Sequence, residues 1–394
     1  MTVLRTGIGR LDEVLRGGVR EGYPILFTGS FHDDNVILMH QFVKALLKQG
    51  KKVLLVEFRQ DIKGLKRWLK NFGVDYSNFE NVKILDGYTN LYSPTPISGP
   101  GVLSNPRDLP ITTAIIRDEL ERGKYDYLVL DDLSVLYAMS IIKEEFIRIM
   151  VRFINTLQIS GIPTVTSFTT SLASQSEGTL ISIPFGYIVH VDTQKHRVFV
   201  EKAPHPISSV NNFRYVRTEE GIIPAWELYE SVERIKEALH LDDEGILWQE
   251  DVRIQIIDES SEASLLESII EYLGYDRAKD FLYFWGVKDA EEVARVDKAT
   301  YKSLRESLER LAHSTKISGG GVVEVPLVED DVVVVRGKNL FPRMPNFGKA
   351  VHWHDAGYIT RIVEEWVGGK WKGEEVKCEA KGDPYCEFVV KRVE

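Results

Sequence analysis

The sequence predicts an α/β fold: a mostly parallel sheet flanked by helices, followed by a smaller α+β unit. Two observations predict it. Over residues 1–225, short apolar runs without polar alternation are separated by helix-period segments, the pattern of a parallel sheet covered on both faces. From about residue 259 the order changes to helices first and strands afterwards, which is α+β rather than βαβ. A length of 394 residues is enough for two or three domains, each with its own core.

In the first part, strands are expected at Pro24–Thr28, Lys52–Phe58, Val82–Leu85, Tyr127–Leu130 and Pro163–Phe168. Helices are expected between them at Asn35–Lys48, Asp61–Asn71, Ile111–Arg122 and Ile141–Ile159, with Asp61 placed to cap the second. Tyr187–Asp192 and Arg197–Lys202 read as a hairpin appended to the sheet. Residues 91–110 hold five of the chain's fifteen prolines and show no period, so they read as a mobile surface insertion or a binding element. Residues 226–258 read as a linker with some helix.

The last unit, 259–394, opens with helices at Ser264–Leu273, Ala278–Trp285, Ala290–Val296 and Lys302–His313. Strands at Val322–Pro326 and Asp331–Arg336, a helix at Ala356–Val367 and strands at Glu374–Ala380 and Glu387–Val393 complete it.

Charge narrows the partners. The formal net charge of −10 divides into +2 for residues 1–225 and −12 for the rest, so the C-terminal part repels phosphates and a nucleic-acid partner is not expected. The Ser/Thr-rich run Thr166–Ser176 contains no Lys or Arg and reads as a polar surface loop. The most apolar stretch, Tyr127–Ile142, carries Asp131 and Asp132, so no membrane span is expected. The N-terminal residues lack a basic region followed by an apolar block, and a cytoplasmic location is expected. Two cysteines exclude a disulfide framework.

The first strand runs into Gly29-Ser-Phe-His-Asp-Asp34-Asn35-Val36, where a nucleotide-binding protein places its phosphate loop. A working loop reads Gly, four residues, Gly, Lys, Ser/Thr, because backbone amides and the lysine hold phosphates and the hydroxyl holds magnesium. Here Gly29 stands, but Asp34, Asn35 and Val36 replace the second glycine, the lysine and the hydroxyl residue. Asp33 and Asp34 put negative charge at the helix N-terminus, where they are expected to satisfy its partial charge themselves. The surroundings, Thr6-Gly7-Ile8, Leu11-Asp12, Gly17-Gly18-Val19 and the apolar strand ending in Asp131, resemble the KaiC-like branch of the RecA-type ATPases. That resemblance covers residues 1 to about 225 and implies a RecA-like core with a vestigial nucleotide site at Gly29 and Asp131. It also places Arg59 and Gln60 where the family carries the glutamates that activate water, and neither can serve as a general base. ATP is therefore not expected as a cofactor and no catalytic residue is assigned. Asp131 is expected to persist as a buried hydrogen-bonding residue.

Near the C-terminus, Gly382-Asp383-Pro384 is turn chemistry between Cys378 and Cys386. Two thiolates, a histidine and a carboxylate make a plausible tetrahedral zinc set. Free thiols and a disulfide are the competing readings. The pattern Glu375-x-x-Cys378-x-Ala380-x-Gly382-x-x-x-Cys386-x-Phe388 resembles the vinyl-4-reductase (4VR) domain, a small-molecule-binding module, over about residues 260–394. The resemblance sets His352 where the family often carries a cysteine, so the zinc ligands are His352, Glu375, Cys378 and Cys386, with His354 a substitute for Glu375. It also implies that some of the unit's many aromatic residues line a cavity for a small hydrophobic ligand.

Together these readings describe a non-catalytic regulatory or signalling protein. A 4VR ligand sensor, binding zinc or a small hydrophobic ligand, is joined to an ATPase-derived scaffold that contacts another protein. By analogy with both families a homo-oligomer is expected, a dimer first. The alternatives are a KaiC-type ATP-binding protein or ATPase, and a transcription-associated regulator that binds DNA or a transcription factor.

Overall fold

The structure is a computed structural model and describes residues 2–30, 33–225, 229 and 231–393. Phe31 and His32 of the phosphate-loop segment, and Trp226 at the expected start of the linker, lie outside the described residues. The chain divides into two compact units, Met1–Pro224 and Ala225–Glu394.

The first unit begins with β1 (Val3–Leu4), α1 (Gly9–Val14) and β2 (Val19–Arg20), β1 and β2 forming a small antiparallel pair. Then follow β3 (Ile25–Gly29), α2 (Asp34–Lys48), β4 (Val53–Glu57), α3 (Ile62–Lys70), β5 (Val82–Asp86), α4 (Thr89–Tyr92) and α5 (Leu109–Gly123). After these come β6 (Tyr127–Asp131), α6 (Leu133–Met139), α7 (Lys143–Ile159), β7 (Thr164–Thr169) and α8 (Gln175–Ser182). Four strands close the unit: β8 (Tyr187–Asp192), β9 (Arg197–Lys202), β10 (Asn212–Thr218) and β11 (Gly221–Pro224).

Nine strands form one sheet in the order β11-β10-β9-β8-β3-β7-β6-β4-β5. The pairings from β8 to β5 are parallel, and β9, β10 and β11 extend the sheet antiparallel. Successive residues of a strand face opposite layers. On β4, Val53 and Leu55 pack with α2, while Leu54 and Val56 pack with α5 and α7. Burial on both faces is why these strands read as continuous apolar runs. The parallel register brings the carboxyl ends of β3, β4 and β6 together, with Glu57 opposite Asp131.

The 91–110 segment differs from the mobile insertion expected. Asn90 Nδ2 donates to the carbonyls of Ile97 and Leu103, Asn90 Oδ1 accepts from the Ile97 amide, and Val102 bridges to Asp86 on β5. Leu91 and Leu103 are buried. Prolines remove periodicity, but side-chain hydrogen bonds and two leucines tie the segment to the sheet edge. The expected polar loop over 166–176 is likewise β7 followed by the start of α8, which opens on a capping box between Ser174 and Glu177.

In the second unit α9 (Val232–Ala238) precedes a three-stranded antiparallel sheet, β12 (Leu239–Leu241), β13 (Leu247–Gln249) and β14 (Val252–Ile254). The stretch expected to be linker therefore carries a small sheet as well as a helix. Next come α10 (Glu259–Leu273), α11 (Tyr275–Thr300), α12 (Leu304–Ile317), β15 (Val322–Val328), β16 (Val332–Lys338), α13 (Trp353–Val367), β17 (Trp371–Lys377) and β18 (Cys386–Arg392). The last four strands form an antiparallel sheet in the order β15-β16-β18-β17. The two helices expected at 278–285 and 290–296 are one, α11. It buries Ala278, Leu282, Gly286, Ala290 and Ala294 along a single line, with its outer face left to solvent.

Candidate metal centre and ligand cavity

Four of the residues singled out in the sequence converge in the second unit. Glu375 lies on β17, Cys378 just after it, Cys386 at the start of β18, and His352 immediately before α13. The turn that brings the cysteines together is fixed locally: Asp383 accepts from the Cys378 amide at 2.9 Å, and Gly382 adopts a φ of 104°. All four side chains are buried, and their ligand atoms lie within 4.8 Å of one another.

The separations match a metal set. His352 Nδ1 lies 3.6 Å from Cys386 Sγ, 3.8 Å from Cys378 Sγ and 3.4 Å from Glu375 Oε1. Tetrahedral zinc with bonds of ~2.0 Å to nitrogen and ~2.3 Å to sulfur separates N from S by about 3.6 Å, and N from O by about 3.4 Å. Glu375 Oε2 accepts from the His352 amide at 3.0 Å, while its buried Oε1 has no hydrogen-bond partner. The Glu379 amide donates to Cys386 Sγ at 3.4 Å, a contact suited to a thiolate ligand.

Electrostatics point the same way. The hydrogen bond from the Cys386 thiol, and then those involving His352 and Glu375, drive the Cys378 thiol down toward thiolate. Cys386 is correspondingly pushed up by its hydrogen bond to Cys378 and by burial. Burial lifts Glu375 to about 7. The cluster holds protons where a dication would displace them. The cysteines are free thiols rather than a disulfide.

His354 stands apart from this cluster. It pairs with Asp289 at 3.3 Å and Asp355 at 3.5 Å, and its ring lies 4.6 Å from that of Trp285. Burial opposes its charge, but these two carboxylates lift it to about 9. His352 and His354 are two residues apart at a helix start, so they point to different sides of it.

His354 instead borders a cavity of about 340 Å³ between α12, α13 and the sheet. Its walls are apolar, among them Leu308, Leu311, Val325, Leu340 and Phe388, and His354, Asp355 and Tyr358 form a polar end. Of the aromatic residues considered in the sequence, Phe341, Tyr358 and Phe388 line it. Phe388 and Cys386 are alternate residues of β18, so cavity wall and metal cluster share one strand face as well as α13.

The phosphate-loop segment of the first unit is matched internally. Asp33 pairs with Arg59 at 2.6 Å, and Arg59 lies over the Trp68 ring. Asp34 accepts from the Tyr215 hydroxyl at 2.6 Å and pairs with Arg217 at 3.1 Å. Neither aspartate side chain caps α2, contrary to the sequence expectation, because β10 and β4 supply partners that the local sequence does not show. Asn35 packs against Gly29, where a Cβ on the glycine would lie 2.9 Å from Asn35 Cγ.

Asp131 is fully buried and accepts from His40 Nε2 at 2.8 Å, while His40 Nδ1 meets the Tyr76 hydroxyl at 2.7 Å. Burial, and then the charge of Asp131, push Glu57 well above its usual range, so Glu57 is the protonated partner in a hydrogen bond to Asp131. Burial also lifts Asp132 to about 7. His40, Glu57, Tyr215 and Arg217 were missed in the sequence. Their partners are far along the chain, and only Glu57, an acid ending an apolar strand, carried a local signal.

Comparison with known proteins places both halves. The KaiC ATPase family matches residues 4–182, and the vinyl-4-reductase (4VR) domain matches residues 331–392. The second match contains all four cluster residues. An uncharacterized protein of Methanocaldococcus jannaschii is 31% identical over 103 residues, 26% of this chain and 60% of its own length. A UPF0273 protein of Methanopyrus kandleri is 24% identical over 135 residues, 34% of this chain and 54% of its own. The chain thus spans less than two thirds of the length of either. The crystal structure of a KaiC-like protein from Pyrococcus horikoshii shares 16% identity with a TM-score of 0.48, covering 57% of this chain and 99% of that one.

Proposed function

For a chain that joins a KaiC-like domain to a C-terminal 4VR domain, we propose a non-catalytic regulator. In this reading His352, Glu375, Cys378 and Cys386 hold one zinc ion, and the adjoining cavity takes a small hydrophobic ligand. The KaiC-like unit is a scaffold that contacts a protein partner and does not hydrolyse ATP. The observation that carries the reading is the shared wall: β18 and the start of α13 supply both metal ligands and cavity lining. Zinc, when bound, supplies a cross-link between β17, β18 and α13. The chain's own residues do the rest. Glu375 orients the His352 backbone, the apolar walls exclude water, and Tyr358 and His354 offer hydrogen bonds at one end.

For the first unit, support comes from the side chains that stand where phosphates would. Arg59, Tyr215 and Arg217 already satisfy the aspartates of the loop. A triphosphate would have to displace these pairs and would meet two carboxylates without the usual lysine.

The test is metal content of the untagged full chain by mass spectrometry, beside calorimetric titration with ATP and magnesium. About one zinc per chain, lost in Cys378→Ser, and no heat from ATP is the expected result. Micromolar ATP binding without metal would overturn the reading and favour a KaiC-type ATP-binding protein.

A further inference from the structure

The outer face of α11 is exposed yet aromatic. Phe281, Phe284 and Trp285 are 47%, 59% and 40% exposed, on a helix whose opposite face is packed against α13. Three large aromatics on one exposed helical stripe are what a protein interface uses and what a solvated face avoids. The charges around them identify what would cover the stripe. On a helix, residues four and seven positions either side of a given residue share its face. About Phe284 these are Asp280 and Lys288, then Arg277 and Glu291. Each pair is of opposite sign.

We infer that a second copy of this chain packs on this face, α11 against α11, antiparallel about a two-fold axis at Phe284. A two-fold brings each residue against its mirror position in the partner, so Asp280 meets Lys288 and Arg277 meets Glu291, twice each, around a central aromatic patch. Parallel pairing would set each charge against its own kind. Among the described residues, Asp280 and Arg277 have no ion-pair partner within the chain, so the pairing leaves no existing bridge of theirs to break. Lys288 and Glu291 lie 3.2 Å apart within the helix and would share their charges with the partner. The interface goes beyond the sensor reading and stands without it. If that reading holds, the Trp285 ring against His354 links the interface to the polar end of the cavity.

The experiment is sedimentation equilibrium of the full chain over a wide concentration range. Wild type is expected to self-associate. Phe284→Glu, Asp280→Lys and Lys288→Asp should each weaken association at least about tenfold, and the double change D280K/K288D should bring it back to within about threefold. Positions 280 and 288 are two helical turns apart, so such a rescue must act between chains. A second readout is cross-linking. Cys378 and Cys386 are buried, which leaves Phe284→Cys as the sole exposed thiol, and air oxidation should join two chains there. Arg277→Cys should not cross-link, because its mate lies about 20 Å along the helix. A wild type that stays monomeric would overturn the inference. So would single changes without effect, a double change that fails to rescue, or equal cross-linking at both positions. These readouts are independent of metal content and ATP binding, so failure here leaves the regulator reading to its own test.

Discussion

Gly286 of α11 and Gly357 of α13 lie against each other's helix backbone. A Cβ on Gly286 would sit 1.9 Å from the His354 carbonyl oxygen, and one on Gly357 would sit 2.1 Å from that of Tyr283. The clash in both cases is with backbone, so no side chain can move aside. The crossing holds α13, and with it His352, His354 and Tyr358, at a fixed height over the sheet. Gly357→Ala is therefore expected to destabilise the second unit by about 3 kcal/mol, the upper part of the overpacking range. Gly178→Ala, in α8 with nothing near its Cβ, should instead stabilise by about 0.5–1 kcal/mol. Urea unfolding of both variants checks the contrast, and equal effects would contradict it.

If zinc ties β17, β18 and α13 together, its removal should be felt as lost stability. A strong chelator is expected to lower the melting temperature of the second unit by about 10 °C and leave that of the first in place. Cys386→Ser should lower it to the same extent and remove the chelator's further effect. His354→Ala should leave metal content unchanged, because His354 pairs with Asp289 and Asp355 away from the cluster. Calorimetry with metal analysis reads all three, and zinc loss in His354→Ala would move the site.

Asp297 gives the second unit a pH dependence of predictable sign. It is buried on α11, accepts from Ser307 Oγ at 2.6 Å, and is lifted by burial to about 6. A carboxyl raised in the folded state costs nothing below its unfolded pKa of ~3.9, where both states are protonated. As pH rises through 4 to 6 the unfolded chain ionises first, and stability is lost. Asp297→Asn keeps an acceptor for Ser307 without the charge. It should match wild type near pH 4 and exceed it by roughly 1–3 kcal/mol near pH 8. Unfolding at the two pH values decides, and a gain that is equal at both would assign it to something other than ionisation.

The parallel core and the metal cluster were legible because their signals are local. Strands buried on both faces read as apolar runs such as Leu54–Val56, and the cysteine turn carries its spacing in fourteen residues. What was not legible is nonlocal or ambiguous in kind. The reading that ended a helix at Trp285 stopped just before Gly286, a residue that ordinarily weakens helices. Here it is set by the close approach of α13, a cause outside the segment. The sheet β12–β13–β14 escaped because three-residue strands are too short for a period of two to register. His352 and His354 were indistinguishable as ligands in the sequence, and only the start of α13 separates their directions. His40 had no signal at all, since the acid it serves lies 91 residues away.

Asp131 separates the two accounts of the first unit. In a working KaiC-type ATPase this carboxylate would serve magnesium, and its loss would cost nucleotide binding more than folding. Here His40 donates to it, Glu57 shares a proton with it, and Arg59 lies within range of its charge. Asp131→Ala would leave His40 without its acceptor and Arg59 without a counter-charge inside a buried cluster. Removing one member of such a set costs about 3–5 kcal/mol. The expected outcome is a loss of that size in the unfolding of the first unit, with the second unit unchanged. ATP titration should be silent for wild type and variant alike. Micromolar ATP binding in wild type that disappears in Asp131→Ala, with stability intact, would return the residue to the magnesium side of an active site.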